Sequence, residues 1–99
     1  MSAEYEVRLD PVRGDGLLTE WDVDLAVVDV PRGAEVVVFV DEADHFDPGV
    51  PWRLARLLCG SVVRLRFGRR AHRLGPDFEA LYERAAAEYL AVEARMLGA

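Results

Sequence analysis

Tyr5, Val7 and Leu9 alternate with Glu4, Glu6, Arg8 and Asp10, the two-residue period of a half-buried strand. Gly14 and Gly16 then predict a hairpin turn. Beyond it, Trp21, Val23, Leu25 and Val27 alternate with Glu20, Asp22 and Asp24, which predicts a second strand. The alternation fails at Ala26–Asp29, where a bulge or short irregular piece is expected, and Pro31–Ala34 reads as a turn. Glu35–Asp41 is apolar on both faces, with Val36, Val38 and Val40 against Val37 and Phe39, so a central strand covered on both sides is expected. Asp44–Pro51 reads as a loop. Pro51 suits the first turn of a helix carrying Trp52, Ala55 and Cys59, which Gly60 ends. Ser61–Phe67 predicts another strand, and Gly68–Gly75 a basic loop. From Pro76, the spacing of Phe78, Leu81, Tyr82, Ala85, Tyr89, Val92 and Met96 predicts a long helix up to Gly98. The predicted order is β-β-β-α-β-α: a single α+β domain over residues 1–99, mostly a sheet of about four strands covered by two helices.

Composition narrows the class. The chain has 99 residues, 52% of them hydrophobic and 30% charged, enough to bury a modest core without metal or disulfide support. No apolar run is long enough to span a membrane, and the acidic start carries no signal-like apolar segment. With a lone Cys59, these features lead us to expect a cytoplasmic protein. All 12 basic residues are Arg. The absence of Lys points to coding from a GC-rich genome, such as an actinobacterium or its phage.

Charge is segregated along the chain. Residues 1–47 hold 13 acids and three Arg, residues 48–75 hold seven Arg and no acid, and residues 76–99 hold five acids and two Arg. Such blocks either pair within the domain or mark a binding face. Internal pairing is the expectation, with Arg64 and Arg66 meeting Glu20, Asp22 and Asp24 across neighbouring strands. The alternatives are a face for an acidic protein partner and a nucleic-acid strip, both built from the Arg-rich 53–73 segment. The net charge of −6 and the few aromatics beside the arginines argue against the latter, so nucleic acid is disfavoured as a partner.

Asp41-Glu42-Ala43-Asp44 follows an apolar strand, as in the Mg²⁺-holding strand of nucleotide-driven helicases. A phosphate loop needs Lys-Ser or Lys-Thr, and the chain has no Lys, so the ATPase reading fails. The loop 41–47 could offer oxygen ligands to a hard cation in a small metal-dependent enzyme, but its spacing does not follow the EF-hand pattern. Ser2, Thr19 and Ser61 lie in no nucleophile motif, and Cys59 falls on an apolar stripe. No catalytic residue, metal site or cofactor is expected.

From Glu35 onward the chain resembles a STAS domain, the fold of anti-sigma-factor antagonists. Val36–Asp41 corresponds to that family's Val-rich strand, and His45-Phe46-Asp47-Pro48-Gly49 to its Phe-Leu-Asp-Ser-Ser-Gly loop. Trp52–Cys59, Val62–Phe67 and the segment from Phe78 correspond to its helix, strand and final helix. Trp21–Ala26 is similar to its Gly-Glu-Leu-Asp-Leu-Ala segment. Two features depart: no helix is expected after Ala26, and the regulatory serine is missing, since Pro48-Gly49 follows Asp47. The resemblance implies a non-catalytic regulatory module that binds another protein through the loop and adjoining helix. The expected contact residues are Asp44, His45, Asp47, Pro48, Gly49, Trp52 and Arg53, joined by Arg69, Arg70 and Arg73. Tyr89, Leu90, Val92, Met96 and Leu97 make the end of the final helix apolar on more than one face, which suits a homodimer contact.

Overall fold

A computed structural model describes the backbone of residues 4–98 and the side chains of residues 4–96. Ser2 and the side chain of Leu97 lie outside the described residues. Strand β1 (Glu4–Leu9) is followed by a short β2 (Leu17–Leu18), helix α1 (Glu20–Ala26), β3 (Glu35–Val40), a short β4 (His45–Phe46) and α2 (Gly49–Leu57). Strand β5 (Val62–Phe67), one 3-10 turn (His72–Leu74) and the long α3 (Gly75–Gly98) complete the chain.

The α+β architecture agrees with the sequence pattern, but its second predicted strand is a helix. In α1, Val23 is buried and Ala26 and Val27 are partly buried, three and four residues further on, as one face of a helix requires. Trp21 and Leu25, four apart, share the outer face. Alternation by two therefore arose from apolar residues placed on two opposite helix faces. Thr19 caps the helix, and Asp22 accepts hydrogen bonds from its backbone N–H at 2.8 Å and its hydroxyl at 3.2 Å. The irregular piece after Ala26 is the exit from this helix, where Asp29 takes a left-handed φ of 57°, a conformation Asp tolerates better than most residues.

The Gly14–Gly16 turn does not form a hairpin. Strand β1 pairs with β3, β3 pairs with β5, and both pairings are parallel, so β3 is central. Strand β2 pairs instead with β4, in a second parallel ladder only two residues long. In register, Val7, Val38 and Leu65 share one level of the sheet, and Leu9, Val40 and Phe67 the next. This face carries the core. Val23 of α1, Leu54 and Leu58 of the α2 region, and Phe78 of α3 pack on it in one cluster. Full burial of each such side chain is worth about 1.5–3 kcal/mol. Phe78 is central, with Phe46 and Phe67 edge-on at centroid distances of 5.1 and 5.5 Å.

The other face is a correction to the expected cover on both sides. Val37 and Phe39 are only half-buried, and Val62 beside them is exposed. The helices in the core cluster all belong to the opposite face.

Candidate functional site

The acidic loop is fixed by backbone before any ligand chemistry enters. Asp44 N–H and His45 N–H both donate to Gly16 O, at 2.7 and 3.1 Å, and Asp47 N–H donates to Leu18 O at 3.0 Å. These bonds hold 44–47 against 16–18. Gly16 is needed there, since a Cβ on it would lie 2.5 Å from Asp44 Oδ2 and its φ is +80°.

Two of the arginines singled out in the sequence are engaged within the fold. Arg70 donates from Nε and Nη2 to the two oxygens of Asp44, at 3.0 and 2.7 Å, and from Nη1 to Glu42 at 3.3 Å. Arg53 forms the same fork with Asp24, at 2.8 and 2.9 Å, tying α2 to α1. Bidentate geometry of this kind fixes orientation as well as charge. The guanidinium beside each carboxylate holds Asp24 and Asp44 below the usual carboxylate range, and raises both arginines above theirs. Arg32 pairs with Glu93 of α3.

The expected pairing of Arg64 and Arg66 with Glu20, Asp22 and Asp24 does not occur. Those acids lie on α1, whereas Arg64 and Arg66 sit beside Val37 and Phe39 on the open sheet face. Asp22 is instead a buried group. Its second oxygen accepts from Val12 N–H at 2.9 Å, so one carboxylate clamps both the start of α1 and the loop before it.

The remaining contact residues divide by exposure. Asp47, Pro48, Arg69 and Arg73 are exposed, and His45 is exposed on β4. Gly49 is half-buried against Glu20, and Trp52 stands edge-on to Tyr89 at 6.2 Å. Trp52 thus helps join α2 to α3. Among the described residues no group of three or more His, Cys, Asp or Glu is placed to hold a metal ion. None of the described helices is long and apolar enough to cross a membrane.

A small recess of about 220 Å³ opens between α2 and α3, lined by Cys59, Ser61, Tyr82 and Leu90 among others. Burial pushes the Tyr82 hydroxyl up to about 12. The Cys59 thiol donates to Glu93 at 3.2 Å.

The surface that sequence reasoning missed lies on α1. Trp21 is 64% exposed, Leu25 is exposed one turn further on, and Val28 is exposed just past the end of the helix. Trp21 also forms a wall, with Val12, Arg13 and Thr19, of a depression of about 420 Å³. Glu20 and Asp29 lie exposed along the same stretch, and the Pro48 corner adjoins through Gly49. The signal was available in Thr19-Glu20-Trp21-Asp22, the Ser/Thr-x-x-Asp/Glu word of a helix start. Once α1 is a helix, Trp21 must turn away from Val23. Comparison with protein-family models, curated proteins and solved structures gives no match.

Proposed function

We propose that this chain is a non-catalytic protein-interaction module, whose contact surface is the outer side of α1 with the adjoining Asp47–Gly49 corner. The observation that carries this reading is Trp21, 64% exposed at the rim of a depression, with Leu25 exposed one turn further along the same helix face. A large aromatic in that position is costly to leave in water and is the residue type that anchors protein interfaces. Glu20 beside Trp21, and Asp47 at the corner that adjoins Glu20 through Gly49, suit a partner with a basic group, and the depression itself, walled by Val12, Arg13, Thr19 and Trp21, suits an apolar one. Of the arginines first considered, Arg53 and Arg70 serve the scaffold. Arg69 and Arg73 stay exposed and form a secondary contact region. A regulatory role of the STAS kind remains part of the proposal. Its support is the order of strand, loop, helix, strand and helix from β3 onward.

The test is affinity capture from host extract with the wild-type chain and with Trp21→Ala/Leu25→Ala as parallel baits. The expected result is a protein retained by the first and depleted at least about tenfold from the second, since central anchors carry much of the binding energy. Equal retention by both baits would remove α1 as the surface. Tight, steeply salt-dependent retention of the wild type on heparin would favour the nucleic-acid alternative. A thermal shift with Mg²⁺ or Mn²⁺ that vanishes on Asp44→Asn would favour the metal-dependent one.

A further inference from the structure

Strand β3 lies between β1 and β5, so among the described residues each outer strand of the main sheet is paired along one edge only. The two outer strands are not equally covered. On the core side, Val7 and Leu9 of β1 are buried, whereas Val63, Leu65 and Phe67 of β5 are all half-buried. The helical cover thins toward β5, because α3 packs mainly against α2. On the far side of β5, Val62, Arg64 and Arg66 are exposed. Among the described residues neither arginine has a hydrogen-bond or ion-pair partner. Glu35, the one acid on β3, lies beside Val62, a strand further in.

A free strand edge presents N–H and C=O groups that a further strand can bond. The side chains beside that edge decide which strand fits. An added strand places alternate residues on the two faces of the sheet, whichever way it runs. Its residues on the core side meet Val63, Leu65 and Phe67, where apolar groups are favoured. Its residues on the other side meet Arg64 and Arg66, where carboxylates are favoured. A second copy of the chain does not meet these conditions. Two β5 strands related by a two-fold axis put Arg64 opposite Arg64 or Arg66 in any register that joins most of the strand. Strand β1 of a second copy, added in the register the sheet already uses, sets Arg8 against Arg66, and a head-to-tail contact of that kind does not close.

We propose that the free edge of β5 takes up an extended segment of another protein, in which carboxylates alternate with apolar residues, as an added strand. Main-chain bonds to β5 supply the attachment, and the side chains on either side of it supply the selection. Arg64 and Arg66 do two things at once: they attract the acidic segment, and they keep the edge from joining its own kind. The chain's net charge of −6 opposes an acidic segment mainly at long range, where physiological salt screens charges beyond about 8 Å. The β5 edge is also separate from the α1 surface, since α1 packs beside β1 and α2. Either surface can therefore fail its test without the other.

The probe is a short end-capped peptide alternating Glu and Val, titrated into the isotope-labelled chain up to about 1 mM, the weak end of specific binding. The amide signals of residues 62–67 should shift saturably and gain protection from hydrogen exchange. The same peptide with Lys in place of Glu should bind at least about fivefold more weakly, as like charges replace opposite ones across the strands. A copy N-methylated throughout keeps its charge but can donate no bond to the edge, and should not bind. Arg64→Glu/Arg66→Glu should reverse the preference between the Glu and Lys peptides, with an unchanged far-UV circular dichroism spectrum. Any one of four outcomes would overturn the proposal. The β5 amides could fail to respond to the Glu peptide. The Lys peptide could bind as well, or the N-methylated copy could. Or the β5 amides could shift with the concentration of the chain alone, which would give the edge to a second copy.

Discussion

Asp22 shows how much a single carboxylate can organise here. Its oxygens take the Thr19 N–H and hydroxyl on one side and the Val12 N–H on the other, in a position only 4% exposed. Asp22→Asn keeps the shape but replaces one acceptor by an NH₂ group. That group must face one of these donors, leaving a partly buried N–H unpaired against it. The expected loss is about 1–3 kcal/mol, read as a lower urea midpoint with an unchanged slope. The sequence contained this residue's role in the Thr19-x-x-Asp22 spacing. Trp21, Val23 and Leu25 concealed it, because a short helix with apolar residues inside and outside imitates the period of a strand.

At the scale of elements, the strongly patterned segments were readable and the short ones were not. Strand β3 is apolar from Val36 to Val40 and central, and α3 keeps a helical stripe from Phe78 to Tyr89, so both followed from the sequence. Strands β2 and β4 have two residues each, and no periodicity can announce a ladder that short. Pairing partners were equally hidden. The alternation in β1 shows that one side is buried, without showing that β3 lies beside it. What the elements share is Phe78, wholly buried where α3 crosses Phe46 of β4 and Phe67 of β5. Phe78→Ala should cost about 3–5 kcal/mol. Against the 5–15 kcal/mol of a typical domain, calorimetry should show a melting temperature lowered by tens of degrees or no cooperative transition. Trp21→Ala, on an exposed face, should stay within about 0.5 kcal/mol of wild type.

For the whole molecule, the segregated charge was visible at once, and its use depended on the fold. Arg53 and Arg70 neutralise acids from the first half of the chain, as the blocks implied, whereas Arg64 and Arg66 do not meet the acids expected for them. A parallel register put them beside Val37 and Phe39 instead, and no linear pattern encodes that register. The two forked pairs also set an acid limit. Asp24 and Asp44 have folded-state pKa values below the ordinary 3.8. Their contribution is therefore complete above the unfolded value and is lost as pH falls through the lowered folded ones. Melting temperatures recorded from pH 7 down to pH 2 should drop below about pH 4. Asp24→Asn/Asp44→Asn should start lower at pH 7 and fall less steeply. An identical slope in both proteins would mean that other carboxylates govern the acid transition.

The strand order carries a last consequence, for the time course of folding. Glu4 pairs with Glu35, and Glu35 with Val62, so neither half of the main sheet can close through a local hairpin. On the ribosome, the opening segment must wait, unpartnered, until the middle third has emerged from the exit tunnel. Chain entropy lost over such long loops slows nucleation. Refolding should accordingly run on the millisecond-to-second scale, well behind helical bundles of similar size.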